Sequence, residues 1–229
     1  MLAISRARIV LDATQHPYEV ANKADIDANW RAEIAANPDL FDGQVMLFSS
    51  IDWRDGQLDA LCHCGRFATY LHWRRTRSSP ILDHMFAHAM PVASDGSLVA
   101  IRMAAHTANA GRVYFAAGSF DMEDLVGGEI DIDLNMAREV GEEIGFDLTA
   151  CGRDPGLHVY RSEVGSVIVR RYYLDMAPET IEARVRAHMA LERQPEIDGV
   201  TFIRQDAPLP DNLAAYMPAL IDWHFRQDD

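Results

Sequence analysis

The chain has 229 residues, 48% of them hydrophobic and 24% charged, with a formal net charge of −14 at pH 7. That length and balance fit one large domain, or an ordinary domain with a substantial extension, able to bury a real core. The negative charge argues against nucleic acid or an anionic membrane surface as the main partner, and leaves a small polyphosphate open because bound metal neutralises both site and ligand.

Taken in chain order, Ala7 to Ala13 reads as a strand, and Ala24 to Asn37 as a helix with Ile26, Trp30 and Ile34 on one stripe, stopped by Pro38. Gln44 to Trp53 and Gln57 to Gly65 predict a hairpin around Asp55-Gly56. A short helix over Thr69 to Arg75 leads into Arg77-Ser78-Ser79-Pro80, the best linker, which divides the chain into an extension over 1–80 and a main domain over 81–229. His84 to Ala93 and Ser97 to Met103 predict a second hairpin at Asp95-Gly96, and Arg112 to Ala116 a further strand. A Gly- and Asp-rich loop is expected from Gly118 to Asp133, then a helix over Leu134 to Ile144 with Gly145 as its left-handed terminator. Two strands follow at His158 to Ser162 and Val167 to Met176, joined by a turn over Arg161 to Ser166. A helix over Pro178 to Glu192, a strand over Val200 to Arg204 and a helix over Asp211 to Phe225 complete the pattern. Mixed strands with few, separated helices predict an α+β sandwich rather than a doubly wound sheet.

Three cysteines, Cys62, Cys64 and Cys151, give no disulfide framework, as expected of a reducing cytoplasm. The first residues lack the apolar region of a signal peptide, and no run approaches the ~18 apolar residues of a membrane span. The expectation is a soluble, cytoplasmic protein.

The most informative stretch is Ala137-Arg-Glu-Val-Gly-Glu-Glu-Ile-Gly-Phe146. It places Glu139, Glu142 and Glu143 at i, i+3 and i+4, on one face of a helix. Like charges so close repel, and a divalent cation such as Mg²⁺ reverses that balance while keeping room for substrate phosphates. As a plain surface helix, the stretch would be only a run of solvated glutamates. The residues resemble the Nudix hydrolase signature G-x5-E-x7-R-E-U-x-E-E-x-G-U, with Arg138, Glu139, Val140, Glu142, Glu143, Gly145 and Phe146 in register. Gly118 and Glu129 are the natural matches for the first glycine and glutamate, which leaves the loop six residues too long.

The resemblance implies an α/β/α sandwich with a mixed sheet, plus the N-terminal extension, and hydrolysis of the pyrophosphate bond of a nucleoside diphosphate linked to another moiety. Glu139, Glu142 and Glu143 would bind Mg²⁺ or Mn²⁺, with Glu142 and Glu139 acting in catalysis. Arg138 would orient loop and helix through a salt bridge, with Glu129 as the suggested partner. Glu163 and Glu196 are the loop acids suggested as an additional ligand or base. The segment Trp30-Arg-Ala-Glu-Ile-Ala-Ala-Asn-Pro-Asp-Leu-Phe-Asp-Gly43 is similar to one in the UDP-glucose/UDP-galactose pyrophosphatase branch, as is Pro195-Glu-Ile-Asp-Gly-Val-Thr-Phe202. A UDP-sugar is therefore the leading substrate, with a nucleoside monophosphate and a sugar phosphate as products. The run from His106 through Gly111 to Gly118 is a stretched echo of the coenzyme A diphosphatase pattern, so coenzyme A or a dinucleotide is the alternative. A nucleotide-sensing module without turnover is the alternative of another class. The assembly is left open, with a homodimer as one option.

Other polar groups have competing readings. His106, Asn109 and Arg112, beside the box, would read a base or sugar, or simply make turns. Trp73-Arg-Arg-Thr-Arg77 fits a helix C-terminus better than a phosphate or uridine clamp stacked on Trp73 or Tyr70. Cys62-His63-Cys64 fits buried strand positions better than a zinc site, because no second ligand pair follows.

Overall fold

The computed structural model describes residues 1–77, 79–162 and 165–226. Two short strands, β1 (Leu2–Ile4) and β2 (Arg6–Asp12), precede helices α1 (Pro17–Ala21) and α2 (Lys23–Ala36). Strands β3 (Gln44–Arg54) and β4 (Gln57–Arg66) turn at Asp55 and Gly56, whose φ values of 49° and 75° give the doubly left-handed turn that matches strand twist. Then come α3 (Phe67–Thr76), β5 (Met85–Val92), β6 (Leu98–Met103), β7 (Val113–Tyr114), β8 (Leu125–Val126), β9 (Glu129–Ile130) and α4 (Ile132–Ile144). Strands β10 (Gly152–Arg153), β11 (Leu157–Ser162) and β12 (Gly165–Tyr173) lead to α5 (Pro178–Met189), β13 (Ile197–Ile203) and α6 (Met217–Arg226).

The larger sheet runs β1-β11-β12-β5-β6-β13, with β10 and β7 added beside β12 and β6, and the smaller runs β3-β4-β2-β9-β8. Pairs β5–β12 and β2–β4 are parallel and their neighbours antiparallel, so both sheets are mixed. Register places the layers. Phe86, His88 and Met90 lie beside Val167, Val169 and Arg171, and alternation puts all six on one face. On that face Arg171 lies 5.0 Å over the Trp223 ring of α6. On the other face Arg170 pairs with Asp133 of α4 at 2.7 Å. Helices α4 and α6 therefore cover opposite faces of one sheet, which is the expected α/β/α sandwich.

A single large core joins Ile4, Ile9 and Met46 to Met85, Val140 and Leu220, so residues before position 80 share it. A smaller cluster of Tyr18, Ile26, Leu47 and Trp73 lies where α1 to α3 cover β3. On β4, Cys62 is buried, while His63 is held by Thr14 O and Ser49 Oγ, both at 2.9 Å.

Strands β1 and β10 and helix α1 have no counterpart in the sequence expectation, and three further stretches differ from it. The supposed loop 118–133 contains a 3₁₀ turn at Met122–Asp124 and the β8–β9 hairpin, whose Gly127 and Gly128 take φ values of 61° and 89°. Helix α4 begins at Ile132, earlier than expected, because the Asp131 carboxylate accepts from the N–H groups of Asp133 and Leu134 at 3.0 and 3.1 Å. Helix α6 begins at Met217 rather than Asp211, because 212–214 bonds β7 instead, through Val113 N–H to Asn212 O and Ala214 N–H to Val113 O. Among the described residues no helix is long and apolar enough to cross a membrane.

Candidate active site

Helix α4 sorts its side chains by stripe. Ile132, Met136, Val140 and Ile144 recur every fourth residue and enter the core. Asn135, Glu139 and Glu143 form the next stripe, also buried, so the helix carries two carboxylates inward. Its end is fixed by Gly145 at φ 73°, where a side chain would strike His188, whose Nε2 lies 2.7 Å from Glu142 O.

Arg138 stands one position beside that stripe and gathers acids around it. Its Nε and Nη2 donate to the two oxygens of Asp124, both at 3.1 Å, in the forked geometry a guanidinium favours. Nη2 also lies 2.9 Å from Glu139, and Nη1 donates to Glu142 at 3.1 Å. Asp124 is 0% exposed and further accepts from Asn135 Nδ2 and Asp121 N–H. The suggested Arg138–Glu129 pair is not formed. Glu129 instead meets Arg8 at 2.8 Å, since β9 pairs with β2 and turns it to that sheet. Asp124 follows Gly118 after five residues, the spacing of the signature's first glutamate. The six extra residues, 125–130, lie after it and are the β8–β9 hairpin.

The segment before Asp124 is pinned across a gap. Strands β5 and β6 pair only at Val92 and Leu98 and then separate. Into the opening comes 117–120, held by a bridge from Ser119 to Phe86, by Met46 N–H to Phe120 O, and by Ala117 N–H to Glu143 at 2.9 Å. Gly118 lies against Glu139 so closely that a Cβ there would overlap its carboxylate.

Burial pushes Glu139 up to about 8, Arg138 opposing and Glu142, Asp124 and Glu196 adding to the rise. Burial and the neighbouring Glu139 likewise hold Glu143 well above the usual carboxylate range, against the Ala117 hydrogen bond. Two inward carboxylates of this kind call for a proton or a cation. Among the described residues no three His, Cys, Asp or Glu side chains stand converged as a metal site, Glu142 being turned to Arg138. The donor set nevertheless fits a hard divalent ion: all oxygen, two buried anions, and a third, 57% exposed, within the same turn.

A cavity of about 260 Å³ opens on the α6 face of the sheet, and its lining includes Ala117 and Gly118, which touch Glu143 and Glu139 of α4. Tyr70 and Arg74 of α3, His84 just before β5, Phe86 and His88 of β5, and Tyr216 supply much of the rest. Asn109 and Arg112 line it, and Arg74 Nη1 donates to Asn109 at 3.4 Å. His106 does not line it, and its carbonyl accepts from Asn37. Glu196 is exposed but close enough to raise both buried glutamates. Glu163 lies outside the described residues. Of the cavity aromatics, only Tyr70 figured in the sequence reading, in the disfavoured clamp; His84, Phe86, His88 and Tyr216 did not. Their one local signal is the alternation His84-Met-Phe86-Ala-His88.

No protein-family model matches the chain, and no curated protein matches it. Its fold has counterparts among solved structures. The DR0079 protein of Deinococcus radiodurans is 14% identical, with 80% of this chain and 100% of that one covered at a TM-score of 0.50. The MutT protein of Methanosarcina mazei Go1 is 16% identical, covering 64% of this chain and 95% of that one, with a TM-score of 0.45. A Nudix hydrolase from Nitrosomonas europaea is 12% identical, covering 78% and 86%, with a TM-score of 0.44. At these identities the likeness is one of fold.

Proposed function

We propose that the protein is a Nudix-type, metal-dependent hydrolase of the pyrophosphate bond in a nucleoside diphosphate derivative, with a UDP-sugar as the leading substrate. The observation that carries this reading is the buried Glu139–Glu143 pair on α4, set against the 117–118 segment that also lines an aromatic cavity. Glu139, Glu142 and Glu143 would hold Mg²⁺ or Mn²⁺, which would supply positive charge to the pyrophosphate and acidify water. Arg138, anchored on Asp124, fixes the position of Glu139 and Glu142 along the helix. Glu142, the most exposed of the three, would take the proton of the attacking water. Glu143 ties the 117–118 backbone to the helix. Arg74 and Arg112 offer cations on the cavity wall for the substrate's anionic chain.

Chromatographic detection of the nucleoside monophosphate formed from UDP-sugars, ADP-ribose, dinucleotides and coenzyme A with Mg²⁺ or Mn²⁺ tests this. UDP-sugars are expected to be cleaved to a nucleoside monophosphate and a sugar phosphate. Cleavage of coenzyme A alone moves the substrate to the alternative, and silence across the panel removes the hydrolase reading. The second reading, a nucleotide-binding module without turnover, draws on the absence of a preformed three-ligand group among the described residues. Silence together with nucleotide binding selects it.

Gly118→Ala is expected to lower turnover about 100-fold, because a displaced carboxylate loses its reacting geometry. Stability should change by less than about 1 kcal/mol, since the far end of a flexible side chain yields to the new methyl. Urea unfolding beside the turnover assay checks both halves.

A further inference from the structure

One wall of the cavity has no part in pyrophosphate chemistry. Phe86 and His88 alternate along β5, His84 lies just before its first residue, and all three line the cavity. The Tyr70 ring lies 4.4 Å from His84, and Phe86 stacks 5.1 Å from it with planes 25° apart. Tyr216 closes the row 5.4 Å from Phe86.

The two histidines differ in how they are satisfied. His88 Nδ1 lies 3.0 Å from Phe115 O, a carbonyl that can only accept, so this nitrogen carries the proton. Burial pushes His88 down to about 3, so the ring is neutral and its Nε2 must accept from Tyr216 O–H at 3.0 Å. The Tyr216 oxygen, its proton committed, keeps only acceptor capacity. His84 is buried and neutral too, pushed down to about 3 by burial with Arg74 and Arg77 adding. Neither of its ring nitrogens has a hydrogen-bond partner among the described residues, and Nδ1 is closed off from solvent. A buried imidazole left with a free donor and a free acceptor is costly unless a ligand completes it.

We propose that the cavity seats the planar heterocyclic base of the nucleotide and that His84 is the specificity-determining hydrogen-bond partner of that base. The ring row matches a flat π-system. At about 260 Å³ the space takes one ring system rather than a whole diphosphate derivative. Arg74 and Arg112, exposed and without a carboxylate partner among the described residues, would then meet the phosphates leaving the base. The proposal rests on the hydrolase reading only for the direction of the ligand, base in the cavity and pyrophosphate toward Glu139.

Calorimetric titration of the full chain with UMP, AMP and ribose 5-phosphate, with and without Mg²⁺, tests it. At least one nucleotide is expected to bind about tenfold more tightly than ribose 5-phosphate. His84→Phe should weaken that nucleotide about tenfold, the loss of one hydrogen bond, and leave ribose 5-phosphate unchanged. Tyr70→Ala, on α3 and away from the β5 backbone, should do the same by removing a stacking surface, and it carries the test if His84→Phe does not fold. Equal binding of nucleotides and ribose 5-phosphate, or variants that weaken both alike, would overturn the proposal. Binding is read without turnover, so a protein that holds nucleotides in this way and hydrolyses none keeps the base site and loses the hydrolase reading.

Discussion

Replacing Glu139 with glutamine is expected to stabilise the metal-free protein at pH 8 while removing at least about 100-fold of its turnover. The two effects share one cause. Burial raises Glu139 from 4.5 to about 8, so the folded protein keeps a proton there that the unfolded chain releases near 4.5. A carboxyl raised on folding gives stability that is fully present below its unfolded pKa and lost as pH climbs through the folded one. The metal-free melting temperature should therefore fall between about pH 4.5 and 8, and fall less in Glu139→Gln, which carries no charge to bury. Glu142 and Glu143 are also raised, so some slope remains. Mg²⁺ should reverse the order by binding the ionised folded form, lifting the wild-type protein at pH 8 and the variant much less. Melting curves across that pH range, with and without Mg²⁺, give the readout. A variant with the wild-type slope and the wild-type response to Mg²⁺ would remove Glu139 from the site.

Features carried by neighbouring residues were legible in the sequence, and those assembled across the fold were not. The turn at Asp55-Gly56 and the Arg138-to-Phe146 helix with its glycine end are local, so pattern alone located them. Strand β1 and helix α1, with three and five residues, are too short for a period to show. Asp124 was missed for a different reason. The signature calls for a glutamate, and Glu129 lay closer to Arg138 along the chain. Only the pairing of β9 with β2, between residues 119 positions apart (Val10 with Glu129), shows that Glu129 belongs to another sheet. Counting five residues from Gly118 and accepting an aspartate would have found the right carboxylate. The cavity draws on α3, β5, the 108–114 segment and 214–216, and no single stretch announces it.

Asp124→Ala is expected to be the most destabilising single change at the site, and Glu129→Ala nearly silent. Asp124 accepts from Arg138 Nε and Nη2, Asn135 Nδ2 and Asp121 N–H, and it is buried. Its removal takes the acceptor from four donors and the one fully buried counter-charge from a guanidinium whose side chain is only 16% exposed, leaving it to Asp121, Glu139 and Glu142. Breaking a buried ion pair by deleting one partner costs about 3–5 kcal/mol. In a chain of this size that lowers the melting temperature on the order of 10 °C. Glu129 and Arg8 are each 46% exposed, and an ion pair in that setting contributes within about 1 kcal/mol. Turnover separates the two further. Without Asp124 the guanidinium turns toward Glu139 and Glu142, and both carboxylates lose their fixed placement. Asp124→Glu should recover part of the loss, because the longer acid keeps the charge and matches the residue usual at this step of the signature. Thermal melting and turnover of the three variants decide the matter, and a Glu129→Ala protein more damaged than Asp124→Ala would return the anchoring role to Glu129.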